Sequence, residues 1–498
     1  MSPSAFEDHL LAPRGRGRLS DGPHAGAAGG AACGDLVRIT VAIEADRIVD
    51  AGFDASGCGA AQAAASAAVE LVAGAPLLEA ARLGADEVAA ALGGLLPAKR
   101  HAATLAAEAL HRALGAAAAA DAELTPAADR TLVAMSGGVD SAVAAHLARA
   151  GGDDVVAVTH ELWSDPANDG ERSCCSPQAV SGARALAHAM GLPHLTLDLR
   201  EAFRREVVDD FVREHAAGRT PNPCVRCNGQ VRFEEMLALA TRLGAGRLAT
   251  GHYARIARDD DGPLLAAAAD ANKDQTYMLA RLDPKALGRL HFPLAGRTKP
   301  QVRELARRAG LPVADRPESQ DLCFLAGVGK RGFLRAREGA RPPAAAGADA
   351  KATQSLPRAR TPRGEIVSLS GEVLGHHEGQ RDYTVGQRRG LGVAAPEPLY
   401  VLSKNAARER VTVGPRSALA TTSVELEGAV LHRDGDRVEA VKLRYRSVPV
   451  ECRVEGAPRR GAHASLSLTL AQPVEGVAPG QTACLLAGDR VVGCATIG

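Results

Sequence analysis

Four short apolar runs, each separated from the next by a helical pattern, constrain the fold of this chain more than any other feature. The runs are TLVAM at 131–135, VVAVTH at 155–160, HLTLDL at 194–199 and RLATGHY at 247–253. Strands that alternate with helices form a parallel sheet with helices on its faces, because each parallel connection needs a crossover. The sequence therefore predicts a doubly wound α/β domain, which we place at residues 130–340.

The segments before this domain differ from it in composition. Residues 1–29 mix Gly, Pro, Arg and Ser without an apolar period, which predicts a disordered leader. Residues 30–114 alternate apolar and polar positions and then become Ala-rich, which is typical of a small α+β domain. Residues 115–129 contain a Pro and no sustained period, so we interpret them as a linker.

The segments after the α/β domain are rich in short Val-containing runs. Residues 341–362 carry Pro and Ala without a period and are interpreted as a linker or insertion. Short strand patterns broken by Gly, Pro and Asp-Gly turns fill residues 363–415 and 416–498, and they predict two small β-rich, barrel-like domains. The 498-residue chain is thus predicted to be multidomain.

Charge and aromatic content limit the kinds of partner. Lys and Arg number 59 and Asp and Glu 58, so the net charge of +1 gives no global field for nucleic acid, and any such partner must meet a local patch. Aromatic residues make up 3% of the chain, too few for extended base-stacking platforms. Without a signal-peptide pattern or a long apolar run, we expect a cytoplasmic protein with no membrane partner.

A glycine-rich loop joins the first strand of the α/β domain to the following helix. Its sequence is Ser136-Gly137-Gly138-Val139-Asp140-Ser141, and glycines there allow backbone N–H groups to point inward at the positive end of the helix dipole. No Lys follows the glycines, so the loop is not the GxxxxGK type; it resembles the SGGxDS loop (PP-loop) of ATP pyrophosphatases. The other interpretation is a tight strand-to-helix turn with incidental glycines.

The resemblance implies that ATP, with Mg²⁺, binds at this loop. The implied ATP-binding residues include His160, near the adenine, and Gly251, which closes the site. The full set is Ala134, Met135, Ser136, Gly137, Gly138, Val139, Asp140, Ser141, His160 and Gly251.

Two cysteines stand at CxxC spacing. Cys224 and Cys227 lie just before a helical pattern, where the helix dipole lowers a thiol pKa and favours a nucleophile or a metal ligand. If this CxxC were half of a structural zinc site, a second CxxC would have to supply the other two ligands, and the chain has none. Cys323 in SQDLCFL is the plausible distant partner.

Several motifs together resemble the tRNA-specific 2-thiouridylase family. They occur in the family's order: SGGVDS, AGRTPNPCVRCN, ATGHYAR, NKDQTYML, YTVGQRRGLGV and KLRYR. The resemblance implies an enzyme that adenylates the C2 oxygen of the wobble uridine in tRNAs for Lys, Glu and Gln and then replaces it with sulfur. It also implies a cysteine desulfurase or sulfur-relay protein as partner.

The same resemblance implies roles for individual residues. Cys323 carries the persulfide and Cys227 is the thiol that attacks it. The residues implied to contact tRNA, including those that line the flipped base, are Asn222, Pro223, Cys224, His252, Lys273, Asp274, Gln275, Arg444, Tyr445 and Gln481.

Cys224 is a departure from the family pattern. Many relatives have Asp at this position, where it is a candidate general acid or base. With Cys224, Cys227 and Cys323 together, three thiolates can instead hold a 4Fe–4S cluster with one iron open to hydrosulfide. The persulfide route and the cluster route both remain open.

The front segment resembles the iron–sulfur scaffold family of NifU and IscU. Cys33, Asp35, Cys58 and His101 match its ligand pattern, but Ala102 stands where the family's third cysteine follows the His. These four residues can bind a cluster or a metal ion, or a cysteine can carry sulfur. The hypothesis is delivery of sulfur or a cluster to the downstream cysteines; the alternative is a degenerate docking domain.

Two other functions compete with the sulfurtransferase. One is another PP-loop adenylating enzyme, such as an amidotransferase-linked synthetase, which would leave the CxxC unused and for which no glutaminase signature is visible. The other is an iron–sulfur carrier or scaffold protein, against which the intact SGGVDS loop argues.

Overall fold

A computed structural model gives the architecture for most of the chain. The described residues are 4–19, 22–30, 34–163, 177–317, 322–325, 327–337 and 364–498. Cys33 and the predicted linker at 341–362 lie outside them. The chain forms two compact units: the first comprises 1–204, 227–276 and 282–326, and the second comprises 205–226, 277–281 and 327–498.

The first unit begins with a small α+β domain whose sheet has three antiparallel strands in the order β1-β2-β3. Its elements are α1 (Ala5–Leu11), β1 (His24–Gly29), β2 (Leu36–Glu44), β3 (Arg47–Ser56), α2 (Gly59–Val72), α3 (Leu77–Ala80), α4 (Ala85–Ala91) and α5 (Arg100–Ala120). Most alanines of α2 and α5 are buried, so these helices pack closely through small side chains.

The prediction of a disordered leader at 1–29 is wrong for its described residues. Ser4 caps α1 through a capping box with Glu7, and β1 pairs with β2 from His24 opposite Val41 to Gly29 opposite Leu36. Alanine and glycine give β1 almost no hydrophobic signal. The strand forms because a partner strand supplies its hydrogen bonds.

The predicted linker at 115–129 is also partly regular. Helix α5 continues to Ala120, and the next strand begins at Ala127. The Ala run at 116–120 has high helix propensity and extends the helix without any apolar period.

The second part of the first unit is a five-stranded sheet in the order β10-β7-β4-β5-β6. Every pair within it is parallel, which confirms the predicted doubly wound α/β domain. Its strands are β4 (Ala127–Ala134), β5 (Asp154–Glu161), β6 (His194–Asp198), β7 (Ala245–Thr250) and β10 (Leu290–His291). A hairpin of β8 (Arg255–Asp259) and β9 (Gly262–Ala266) follows β7.

Helices connect and cover these strands. They are α6 (Val139–Ala150), α7 (Pro177–Ala189), α8 (Arg200–Phe203), α11 (Phe233–Arg242), α13 (Pro284–Leu287) and α14 (Lys299–Arg308). Helices α6 and α14 enclose a core that includes Val143 and Val302, both fully buried. A π-helical turn, Asn228–Arg232, precedes α11.

The second unit carries the β-rich domains predicted from the sequence. Its helices are α9 (Asp209–Ala216) and α15 (Gly329–Ala336), and α10 (Pro223–Cys227) and α12 (Thr276–Leu279) span the unit boundaries. A four-stranded sheet has the order β12-β11-β14-β13, with β11 (Gly364–Val367), β12 (Val373–His377), β13 (Tyr400–Asn405) and β14 (Arg410–Gly414).

Six further strands form a closed barrel, because β15 pairs with both β18 and β20. The strands are β15 (Ala420–Leu431), β16 (Ala440–Lys442), β17 (Val450–Val454), β18 (Gly461–Glu475), β19 (Thr482–Ala487) and β20 (Arg490–Ile497). None of the helices in the described part of the chain is both long and apolar enough to span a bilayer.

Within the first unit, the front domain packs directly on the sheet through α5. A Cβ on Gly115 would lie 1.8 Å from the carbonyl oxygen of Thr196 in β6, so helix and strand touch backbone to backbone. The His194 N–H donates to the Ala81 carbonyl of the front domain. Arg112 of α5 reaches the end of β5 and contacts Glu161 at 2.6 and 2.9 Å.

Candidate functional site

The glycine loop has the geometry of an anion cradle between β4 and α6. Gly137 has a φ of +70°, which favours glycine, and Gly138 precedes the first residue of the helix. The Ser141 hydroxyl accepts the Ser136 N–H and donates to the Gly138 carbonyl, which fixes the loop. The first amides of α6 therefore face a site suited to phosphate oxygens.

Gly251 lies against this loop. A Cβ at Gly251 would come within 2.7 Å of the Asp140 carbonyl carbon and the Ser141 nitrogen. Only glycine fits so close to another backbone. The end of β7 and the start of α6 are thereby held together.

Two cations that sequence reasoning missed also lie at the loop. The ammonium of Lys299 contacts the two carboxylate oxygens of Asp140 at 2.7 and 2.8 Å, and the Tyr253 hydroxyl donates to the same carboxylate at 2.9 Å. Arg316 donates to the Gly137 carbonyl at 3.0 Å. Both cations follow the loop by more than 150 residues in the sequence, and neither was among the ATP-binding residues that the resemblance implied.

Two histidines, one buried and one partly buried, lie near the loop and are held neutral. Burial, with the nearby Arg232, lowers the pKa of His160 to about 3 and that of His252 to about 3. The Nε2 atom of His160 is buried and has no hydrogen-bond partner among the described residues. The Nδ1 atom of His252 is hydrogen-bonded to the Thr250 hydroxyl at 2.9 Å.

Arg232 is a third residue that sequence reasoning missed. It ends the π-helical turn that directly follows the CxxC helix, and its charge acts on both His160 and His252. One guanidinium therefore helps to keep both histidines neutral.

The CxxC cysteines share the short helix α10. Cys224 is half-buried and Cys227 is 7% exposed. The side-chain oxygen of Asn222 accepts the Val225 N–H at 3.3 Å and so caps the helix, and the Tyr277 hydroxyl bonds the same side chain. Asn222 thus shapes the loop that presents Pro223 and Cys224.

Cys323 is positioned by its neighbour. Phe324 is 1% exposed and packs edge-on against Trp163 and Phe203, with ring centroids 6.4 and 5.9 Å apart. Cys323 itself is half-buried. The aromatic anchor fixes the backbone beside a thiol that solvent or a partner can reach.

The second unit contains a cavity of about 450 Å³ that several predicted residues line. It brings together Thr220, from the loop before the CxxC, with Gln387, Arg444 and Gln481. The Gln481 amide donates to the Thr220 carbonyl, and the Thr220 N–H donates to Pro479 at 2.7 Å. Gln481 therefore holds the loop in place at the cavity wall.

The other residues implied to contact tRNA have mixed surroundings. Arg444 is exposed at the cavity, and the Tyr445 ring lies 6.2 Å from that of Tyr277. The Asp274 carboxylate accepts the Thr276 hydroxyl at 2.7 Å, and the Gln275 side-chain oxygen accepts the Tyr253 N–H at 2.9 Å. Lys273 is partly exposed beside them.

The front domain brings three of its four predicted ligands together. Ligand atoms of Asp35, Cys58 and His101 all lie within 4.8 Å of one another, the one such group of three found in the described part of the chain. Asp35 contacts the His101 Nε2 at 2.9 Å and the Cys58 sulfur at 3.3 Å. The Cys58 N–H and then His101 lower the pKa of Asp35, so the carboxylate is ionised. Ala102, fully buried, replaces the third thiol.

Comparison with known proteins divides the chain into four consecutive segments. Family models match in the order NifU-like N terminal domain (4–121), tRNA methyl transferase HUP domain (129–327), tRNA methyl transferase PRC-barrel domain (355–415) and aminomethyltransferase beta-barrel domain (432–497). The bifunctional protein NifU/MnmA of Rubrobacter xylanophilus is 43% identical over 98% of this chain and 96% of its own length. The chain belongs to the bifunctional NifU/MnmA family.

Relatives that are named MnmA alone confirm the relationship to 2-thiouridylases. The tRNA-specific 2-thiouridylase MnmA of Geobacter metallireducens is 42% identical over 73% of this chain and 95% of its own length. The enzyme of the same name from Thermus thermophilus is 42% identical over 74% of this chain and 94% of its own. In this NifU/MnmA family member, the NifU-like match ends one residue after α5, at 121.

Proposed function

We propose that this chain is an ATP-dependent tRNA-uridine 2-sulfurtransferase whose front domain supports sulfur or cluster delivery. The observation that carries the proposal is the glycine loop with Gly251, Lys299 and Arg316 around it, in a chain that matches a NifU/MnmA protein over almost its full length. ATP, with Mg²⁺ on its phosphates, is the substrate of this loop. The action is cytoplasmic, on tRNAs for Lys, Glu and Gln.

The adenylation step follows from the charges at the loop. The C2 oxygen of uridine attacks the α-phosphorus of ATP, and pyrophosphate leaves with the electron pair of the broken bond. The α6 amides and the cations Lys299 and Arg316 stabilise charge that develops on the departing pyrophosphate. His160, neutral and with a buried free nitrogen, holds the adenine.

The sulfur step belongs to Cys227 and Cys323. Cys323 carries a persulfide from a cysteine desulfurase or sulfur-relay protein. The Cys227 thiolate attacks the inner sulfur, which forms a Cys227–Cys323 disulfide and releases hydrosulfide; hydrosulfide adds to C2, and AMP leaves with the former oxygen. A dithiol reductant then restores both thiols.

The donor set at Cys224, Cys227 and Cys323 also suits a 4Fe–4S cluster. Such a cluster, when bound, supplies an iron that holds hydrosulfide. Anaerobic purification with iron and sulfide analysis separates the two routes. About four irons per chain, lost in Cys224→Ser, favour the cluster; thiolation by iron-free protein with a persulfide donor favours the persulfide route.

The front site fits a single metal ion better than a cluster that needs three cysteines. A carboxylate, a thiol and an imidazole are ligands that zinc accepts, and Cys33 would supply a fourth. We expect zinc or iron to be lost from Asp35→Ala and from Cys33→Ser/Cys58→Ser. The control is His24→Ala, since His24 pairs with Asp121 in the same domain without belonging to the group.

The deciding experiment follows 2-thiouridine, AMP and pyrophosphate in one reaction. Full-length protein is incubated with ATP, tRNA that carries an unmodified wobble uridine, cysteine and a cysteine desulfurase. We expect all three products, and Cys323→Ser should still release pyrophosphate without making 2-thiouridine. Pyrophosphate release without thiolation in the unsubstituted protein would favour another adenylating enzyme, and metal binding without ATP turnover would favour a carrier.

A further inference from the structure

Two lysines of the second unit converge on one short backbone segment. Lys404 of β13 donates to the Tyr383 carbonyl at 3.1 Å, and Lys330 of α15 donates to the Thr384 hydroxyl at 3.4 Å. Both side chains are partly buried. Two ammonium groups from distant parts of the sequence therefore flank the same pair of consecutive residues.

A buried histidine faces the same lysines. His215 of α9 is 1% exposed, and its Nδ1 has no hydrogen-bond partner among the described residues. Burial and the charges of Lys330 and Lys404 lower its pKa to about 3, so its ring is neutral. The Gln380 amide ties this end of α9 to the sheet domain by donating to the carbonyls of His215 and Ala216 at 3.1 Å.

Among the described residues, neither ammonium forms an ion pair with a carboxylate. Asp382 is the acidic group whose charge acts on Lys330, and it already pairs with Arg331 at 2.7 Å and with Arg335 at 3.5 Å. Burial and the like charge of Lys330 lower the pKa of Lys404 to about 8. Each ammonium has three protons and one hydrogen-bond acceptor within the part of the chain that the structure describes, which leaves donors for a ligand.

We propose that Lys330 and Lys404, with the Nδ1 of His215, form a binding site for one backbone phosphate of the RNA substrate. Thr384, which accepts from Lys330, also lines the cavity formed by Thr220, Gln387, Arg444 and Gln481. The phosphate would thus belong to a nucleotide adjacent to the one that enters this cavity. The site deepens the proposed function and rests on it.

The groups at this site fit an anion such as a phosphodiester and not a metal ion. The donors are two ammonium groups and, in the Nδ1–H tautomer, one imidazole N–H, which suits an acceptor-rich anion and repels cations. A bound phosphate would neutralise two like charges that act on each other in the free protein.

The test measures tRNA affinity against salt concentration. The variants are Lys330→Met, Lys404→Met and the double variant, with a tRNA transcript that carries an unmodified wobble uridine as probe. We expect each single variant to weaken binding about 3- to 10-fold and to reduce the slope of log K against log salt by about 0.7–0.9. The rate at saturating tRNA should not change, since neither lysine belongs to the ATP or cysteine groups.

Control variants distinguish the loss of a phosphate contact from a loss of stability and from a change in overall charge. Lys99→Met, at an exposed lysine of the front domain, removes the same charge and should leave the slope as in the parent. Lys404→Arg keeps a cation and should restore affinity. Unfolding midpoints of the methionine variants should be unchanged or higher, because the substitutions remove a repulsion.

A pH series adds an independent readout. Phosphate binds the ammonium form of Lys404, so affinity should fall as the pH rises through about 8, and this fall should disappear in Lys404→Arg. If the parent binds tRNA normally and the double variant shows the same affinity and salt slope, the phosphate site is wrong and the proposed function is unaffected. A parent that does not bind tRNA would contradict the proposed function as well.

Discussion

The side chains that equip the glycine loop come from far along the sequence. Lys299 and Arg316 reach it from α14 and from the segment that follows, and Tyr253 reaches it from the residues after β7. Lys299 is 8% exposed, and a lysine is buried to this extent only when it is paired. The loop backbone supplies shape, and these distant residues supply charge.

Lys299→Met should abolish most ATP turnover. The substitution keeps the length of the side chain and removes the ammonium that contacts Asp140 at the glycine loop. We expect a decrease of about 100-fold in kcat for tRNA-dependent pyrophosphate release. Lys285→Met, at an exposed lysine of α13, is the matched control, and comparable rates in the two variants would contradict the role of Lys299.

Burial of His160 should make the protein sensitive to acid. Its folded-state pKa of about 3 lies below the ordinary 6.5, so its contribution to stability is complete above pH 6.5 and is lost as the pH falls toward 3. At pH 5 the loss is about 2 kcal/mol for this one residue. His160→Gln should therefore lose less stability between pH 7 and pH 5 than the parent, as measured by denaturant midpoints. His376→Gln, at an exposed position, should match the parent.

Helix α5 belongs to two packing systems at once. One of its faces covers the three-stranded sheet of the front domain, with Gly26 of β1 so close that a Cβ there would lie 2.1 Å from the Ala109 carbonyl oxygen. Another face lies on β6 at Gly115. His111 is fully buried between them, with its ring nitrogens 2.9 and 2.8 Å from the carbonyl oxygens of His194 and Leu83.

Gly115→Ala should loosen this packing. The new methyl group would lie 1.8 Å from the Thr196 oxygen, closer than any real contact, so α5 or β6 must move. We expect a loss of about 1–3 kcal/mol of stability. Gly182→Ala is the control, because that exposed helical glycine has nothing within 4 Å and alanine there should stabilise by up to about 1 kcal/mol. Equal unfolding midpoints for the two variants would count against the packing argument.

Sequence patterns predicted some of these elements well and missed others for clear reasons. Strands such as β5 were found because a strand buried on both faces needs a continuous apolar run, here residues 155–158. Strand β1, His24–Gly29, was missed because alanine and glycine have little hydrophobic contrast. Arg232 and Lys299 could not be placed, since only the folded chain brings them to the loop.

At the scale of the molecule, an ion pair joins the front domain to the strand that carries His160. The Arg112 side chain is 18% exposed and that of Glu161 is 6% exposed. The charge of Arg184, itself paired with Glu108 at 3.4 Å, also acts on this region. Burial makes the pair sensitive to the loss of either member.

Arg112→Ala should destabilise the first unit by about 3 kcal/mol, because it leaves the Glu161 carboxylate buried without its guanidinium. Adding Glu161→Gln should recover a large part of that loss, since a neutral amide costs less to bury. Denaturant midpoints of the parent, both single variants and the double variant form the cycle. Additive effects of the two substitutions would show that the contact has no energetic role.

The contact between α5 and β6 has a consequence for solubility. Strand β6 is the edge of the five-stranded sheet, and edge strands with open N–H and C=O groups pair readily with other chains. Here the His194 N–H is occupied by Ala81, and the body of α5 covers Thr196. The front domain therefore shields a sheet edge that would otherwise be open to pairing with other chains. A chain shortened by removal of this domain would expose that strand and aggregate more readily.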